Sequence, residues 1–161
     1  MQSKQEFIGI IRDNEALIYK VVSVYTYNKE DGQDLYQEIV YQLWKSFGSF
    51  RNDSKVSTWM YRVALNTSFT FLNKAKRKGH HLPIDESLLN RPDTDDALKE
   101  ERIEVLYANI RQLNPIEKGI ILLYLEGKSY EEIAGITGFT PTNIGTRLNR
   151  IKQKIMSQIN K

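Results

Sequence analysis

Cysteine is absent from all 161 residues, which excludes disulfides, thiolate zinc sites and thiol catalysis. Long apolar runs are absent too. The N-terminal stretch MQSKQEFIGIIRDNEALIYKVV breaks its apolar residues with charges every few positions. It therefore predicts neither a signal peptide nor membrane insertion, and a soluble, cytoplasmic protein is expected. Neither a P-loop nor a nucleophile elbow is present. The only two histidines, His80 and His81, are adjacent and lie beside a basic tail, a poor arrangement for chelating one ion. Asp93, Asp95 and Asp96 are spaced like a cation loop but lack the glycine and terminal glutamate of an EF-hand. No metal, no cofactor and no enzymatic chemistry of its own are expected.

Acidic residues are missing from two stretches. Between Lys55 and Lys78 the chain carries Lys55, Arg62, Lys74, Lys76, Arg77 and Lys78 with no carboxylate, and from Thr140 to Lys161 there is again none. Asp85, Glu86, Asp93, Asp95 and Asp96 cluster between them. A formal net charge of +3 says little about nucleic acid, but its division into two basic blocks around an acidic connector says more.

What is present is helical periodicity. The segment 79–96, GHHLPIDESLLNRPDTDD, has two prolines, a glycine and no sustained period, so it reads as a flexible linker between two small helical domains, 1–78 and 97–161. The fold class expected is all-α. In the first domain Phe7, Ile11, Ile18, Val21 and Tyr25 mark one amphipathic helix. Leu35, Ile39, Leu43 and Phe47 mark a second after a turn at Asp31 and Gly32. A third runs from about Ser57 to Lys78, with Met60, Ala64, Phe71, Leu72 and Ala75 as core candidates. In the second domain a helix is expected from about Ala97 to Arg111, and another from Pro115 to near Gly127, with Asn114 as N-cap and Glu117 at N3.

The C-terminal end carries the sharpest local pattern. Ser129 with Glu132 forms a capping box, Gly138 stops that helix, and Thr140 with Pro141 starts the next. In that last helix Ile144, Leu148, Ile151, Ile155 and Ile159 form an apolar stripe. Thr142, Asn143, Thr146, Arg147, Asn149, Arg150 and Lys154 are left pointing outward. Two short helices joined through a glycine turn make a helix-turn-helix, whose second helix lies in the major groove of duplex DNA.

The third helix of the first domain offers a second surface. Trp59, Arg62, Asn66 and Asn73 share one side, and an aromatic ring with amides on a basic helix suits unpaired bases. Spacing alone leaves a core role for Trp59 equally open. The preceding loop FRNDSKVSTW supplies short polar residues that could line a pocket for an everted base.

The run DLYQEIVYQLWKSFGSFRNDSKVSTWMYRVALNTSFTFLNKAKRK resembles region 2 of an extracytoplasmic-function (ECF) sigma factor of the sigma-70 family. LNPIEKGIILLYLEGKSYEEIAGITGFTPTNIGTRLNRIKQKI resembles region 4. The resemblance covers most of the chain in family order. It implies core RNA polymerase and promoter DNA as partners, with an anti-sigma factor as a further candidate. It also implies roles for particular residues. Asp34, Leu35, Gln37 and Glu38 match the motif that docks on the polymerase. Phe50, Arg51, Asn52, Asp53, Ser54 and Val56 match the loop that captures a flipped base of the minus-10 element. Trp59, Tyr61, Arg62 and Asn66 match the adjoining strand-opening stretch, and Thr146, Arg147, Asn149 and Arg150 match the minus-35 reading helix. The chain departs from the family at Gly145, where Lys or Arg is usual, at Thr70, where Asp is usual, and at Asn52, where Gly is usual. A helix-turn-helix regulator acting without the polymerase is the alternative reading. The absence of a long dimerisation heptad argues against it.

Overall fold

The computed structural model describes residues 4–50, 55–77 and 97–160, which contain eight α-helices and no strand. They fall in two compact units, Met1–Ile84 and Asp85–Lys161. The expected linker, 79–96, lies outside the described residues.

The first unit holds α1 (Lys4–Asp13), α2 (Glu15–Tyr25), α3 (Lys29–Phe47) and α4 (Val56–Arg77). One long N-terminal helix was expected where two are found. Asn14 sits at φ −123° and ψ 20°, its side-chain amide donates to the Ile10 carbonyl at 2.9 Å, and the helix is interrupted there. The turn expected at Asp31 and Gly32 is likewise absent. Both residues lie in the first turn of α3, which is capped by Asn28, whose Oδ1 accepts from the Asp31 N–H at 2.7 Å. A Cβ at position 32 would lie 3.4 Å from Thr26 Oγ1 and 3.5 Å from Val22, ordinary contact distances, so the end of α2 packs against the start of α3 at that point.

The core lies among α2, α3 and α4. Ile18, Val21, Tyr25, Leu35, Ile39, Leu43, Met60 and Ala64 are wholly buried, whereas Phe71, Leu72 and Ala75 are only half-buried towards the end of α4. An aromatic cluster closes one end, with Phe50 stacked on Trp59 at 4.7 Å between centroids and Phe47 at 6.2 Å from the same indole.

The second unit holds α5 (Ala97–Arg111), α6 (Pro115–Leu125), α7 (Tyr130–Thr137) and α8 (Pro141–Ile159). Both expected capping boxes form, Asn114 with Glu117 and Ser129 with Glu132. Helix α6 is the apolar centre, burying Ile120, Ile121, Leu122 and Leu123. Lys118 is buried with them, and that burial, with Arg111 adding repulsion, pushes its ammonium down to about 8.

Gly138 joins α7 to α8 at φ 89°, a left-handed conformation, with its N–H on the Ala134 carbonyl at 2.8 Å. A Cβ there would touch nothing within 4 Å, so the strain of a substitution would be purely conformational. Gly138→Ala is expected to cost about 1–2 kcal/mol, read as a lower urea midpoint at unchanged slope.

Candidate nucleic-acid interface

Helix α8 is aimed by its buried side. Thr140 caps it, its Oγ1 accepting from the Asn143 N–H at 3.1 Å, and Ile144, Leu148 and Ile151 are wholly buried with Ile155 close behind. Ile155 ends that stripe. Ile159, expected to continue it, is half exposed in the final turn. With the apolar side fixed, Thr142, Asn143, Thr146, Asn149 and Arg150 face solvent. Thr140, Thr142, Asn143, Thr146, Arg147 and Arg150 line an open polar cavity of about 360 Å³.

Two of the expected cations on α8 are held in place. Arg147 Nε donates to Asn143 Oδ1 at 2.5 Å while its guanidinium lies 4.1 Å from the Phe139 ring centroid. Its fork is thereby oriented before any ligand arrives, which reduces the entropy lost on binding. Lys154 Nζ donates to Glu117 Oε2 at 2.6 Å, linking α8 to the start of α6. Phe139 was not singled out from the sequence, and Glu117 was expected only as the N3 residue of α6. The aromatic at the helix-turn-helix corner was the available signal for Phe139, whereas nothing local foretold a contact between positions 117 and 154.

In the first unit the expected stripe divides. Arg62, Asn66 and Asn73 are exposed on α4, but Trp59 is 7% exposed and Tyr61 2%. Phe50 is buried as well. These three rings belong to the core, where Trp59 packs on Phe47 and Phe50 and the apolar rings have more to gain by packing than by facing water. Val56 is half-buried, and Arg51, Asn52, Asp53 and Ser54 lie outside the described residues.

On α3, Asp34 and Gln37 are exposed and Glu38 is half-buried, with Glu38 Oε1 accepting from Gln42 Nε2 at 3.0 Å. Leu35, assigned with them to docking, is wholly buried instead, since it lies on the opposite, core side of the helix. Asp34 and Glu38 share a groove of about 370 Å³ with Asn66, Thr70 and Lys74 of α4. The helix expected to dock and the helix expected to open DNA therefore meet at one groove.

These surfaces have counterparts. Residues 10–78 match Sigma-70 region 2 and residues 103–155 match Sigma-70, region 4, in that order along the chain. The chain belongs to the sigma-70 family, as an ECF sigma factor. The ECF RNA polymerase sigma-E factor of Escherichia coli K12 is 28% identical over 141 residues, covering 80% of this chain and 74% of that protein. The RNA polymerase sigma factor SigV of Bacillus subtilis is 27% identical over 161 residues, covering 99% and 94%. Among solved structures, the sigma factor RpoE of Bartonella quintana, in complex with the anti-sigma factor NepR, superposes with a TM-score of 0.76. It is 20% identical and covers 98% of this chain and 96% of that one. CnrH, in complex with the cytosolic domain of CnrY, gives 0.69 at 15% identity, covering 98% and 90%.

Two departures of this ECF sigma factor from the family pattern have distinct surroundings in the fold. A Cβ on Gly145 would come within 3.3 Å of the Tyr130 ring, so any longer residue there requires that partly exposed ring of α7 to shift by a few tenths of an ångström. Thr70 lines the groove with Asp34 and Glu38, and its hydroxyl donates to the Asn66 carbonyl at 3.1 Å. An aspartate there would add a third carboxylate to the same groove. Beside Gln37, the sigma factor also presents an apolar groove of about 540 Å³ lined by Phe7, Ile8, Tyr36, Val40, Tyr41 and Trp44, with Trp44 and Tyr41 about half exposed. Periodicity marked Phe7 but passed over Tyr36, Val40, Tyr41 and Trp44, which lie on the flank of α3 next to its core stripe. Among the described residues no helix is long and apolar enough to cross a membrane.

Proposed function

We propose that this sigma factor docks on core RNA polymerase through the exposed face of α3, with Asp34, Gln37 and Glu38 at the polar side and the Trp44 groove continuing the contact. In the second unit α8 enters the major groove at the minus-35 element through Thr142, Asn143, Thr146, Arg147, Asn149 and Arg150. In the first, Arg62 and Asn66 of α4, with the loop at 51–54, receive the minus-10 strand. The observation that carries the reading is the polar cavity on α8, which gathers side chains able to pair with base edges on a helix that holds no carboxylate. The protein works in the cytoplasm and performs no catalysis of its own. It supplies binding energy that places and opens DNA for the polymerase. An anti-sigma protein covering these surfaces fits the same reading, supported by the anti-sigma factor NepR bound to RpoE in the solved structure.

Run-off transcription from a promoter library with purified core polymerase tests the whole proposal. A start-site-specific product should appear only when this protein is added, and its absence overturns the reading. Flipping a base from the stack costs a few kcal/mol that Asn66 and Ser54 should help to return. Asn66→Ala and Ser54→Ala should accordingly leave closed complexes near normal and reduce permanganate reactivity of unpaired thymines. The defect should largely vanish on a pre-melted bubble. Equal losses on duplex and bubble would remove both residues from strand opening.

A further inference from the structure

Asn143, Arg147, Arg150 and Lys154 recur at intervals of four, three and four, which places them along one stripe of α8. Read from the sequence, all four face the duplex. The structure treats the last one differently. Lys154 Nζ lies 2.6 Å from Glu117 Oε2, and the Glu117 side chain is only 12% exposed while that of Lys154 is 53% exposed. The other carboxylate oxygen of Glu117 is also engaged, accepting from the Asn114 N–H at 3.2 Å in the capping box of α6. Glu117 is thus fixed at both oxygens and largely withdrawn from water. A phosphate competing for Lys154 would leave that carboxylate without its counter-ion, in a place where solvent replaces it poorly.

We propose that Glu117 closes the downstream end of the cationic stripe, so that Lys154 serves the protein's own packing and the DNA footprint of α8 ends at Arg150. Glu117 then limits sequence-independent affinity, since each neutralised phosphate adds affinity without adding specificity. Among the positions assigned to minus-35 contact, Lys154 becomes a positioning residue for α8. The inference rests on the proposed reading of α8 as the duplex-facing helix.

The test uses holoenzyme assembled from the full chain and core polymerase. Closed-complex affinity is measured on a duplex promoter taken from the run-off screen, across a salt series. Glu117→Gln keeps the capping geometry, because glutamine also serves at that position, and removes only the charge. It should steepen the dependence of log affinity on log salt by about 1, as the released ammonium takes a phosphate. Lys154→Gln should leave the slope unchanged, and the double variant should match the wild type. Arg150→Gln should make the slope shallower by about 1, which checks the reading of α8 independently. If Lys154→Gln is as shallow as Arg150→Gln, or if Glu117→Gln leaves the slope unchanged, the proposal is overturned while the helix assignment stands. If Arg150→Gln changes nothing, the assignment of α8 itself fails.

Discussion

Charge reversal at Asp34 and Glu38 together is expected to abolish co-purification with core polymerase while leaving the thermal melt nearly unchanged. Asp34 is exposed, and Glu38 gives up only one hydrogen bond from Gln42 at the surface. Surface substitutions of this kind usually change stability by less than about 0.5 kcal/mol. The effect on docking is of another order. Removing one partner from a hydrogen-bonded charge pair closed off in an interface costs about 2–5 kcal/mol, and reversing two charges adds repulsion to that loss. The neighbouring Leu35 provides the contrast, because it is wholly buried between α3 and the core. Leu35→Ala should lower stability by about 2–5 kcal/mol through the cavity it leaves, and should lose polymerase binding only as far as the domain unfolds. A complex that survives the double reversal would place the docking surface elsewhere, and the Trp44 groove would become the first alternative to examine.

Trp59→Ala is expected to unfold much of the first unit. Its indole is 7% exposed, stacks on Phe50 at 4.7 Å with planes 24° apart, and lies 6.2 Å from Phe47. Truncating a buried tryptophan typically costs about 3–5 kcal/mol, against a total of about 5–15 kcal/mol for a domain. Helical circular dichroism during urea titration should show an early loss of signal from the first unit. Activity should fall alike on duplex and pre-melted templates, since folding and not base stacking is lost. Trp59→Phe should recover most of the stability. Should Trp59→Ala melt like the wild type yet lose open complex only on duplex DNA, the ring must leave the core to meet a base.

Helix α8 was legible from sequence because its signals are local. The Thr140 cap, the proline at N1 and the isoleucines at helical spacing each act within one or two turns, so the residues left over define the outward face without reference to the rest of the chain. The two capping boxes were legible for the same reason. Where two helices press together, local reading failed. Asp31 and Gly32 look like a turn until α2 is seen against Gly32, and Trp59 looks half suited to DNA until Phe50 is seen lying on it.

The sequence by itself determined that the fold class of the described residues is all-α, that the positive charge lies in two blocks, and that the second unit carries a helix-turn-helix, since periodicity, capping and turn chemistry operate over a few residues. Tertiary structure decided which members of each motif are available to a partner. It buried Leu35, Phe50, Trp59 and Tyr61 while leaving Asp34, Gln37, Arg62 and Asn66 outside, and it paired Lys154 with a carboxylate that stands 37 residues earlier in the chain. Burial and ion pairing depend on which side chains from distant segments arrive at the same place, and that is fixed only when the helices pack.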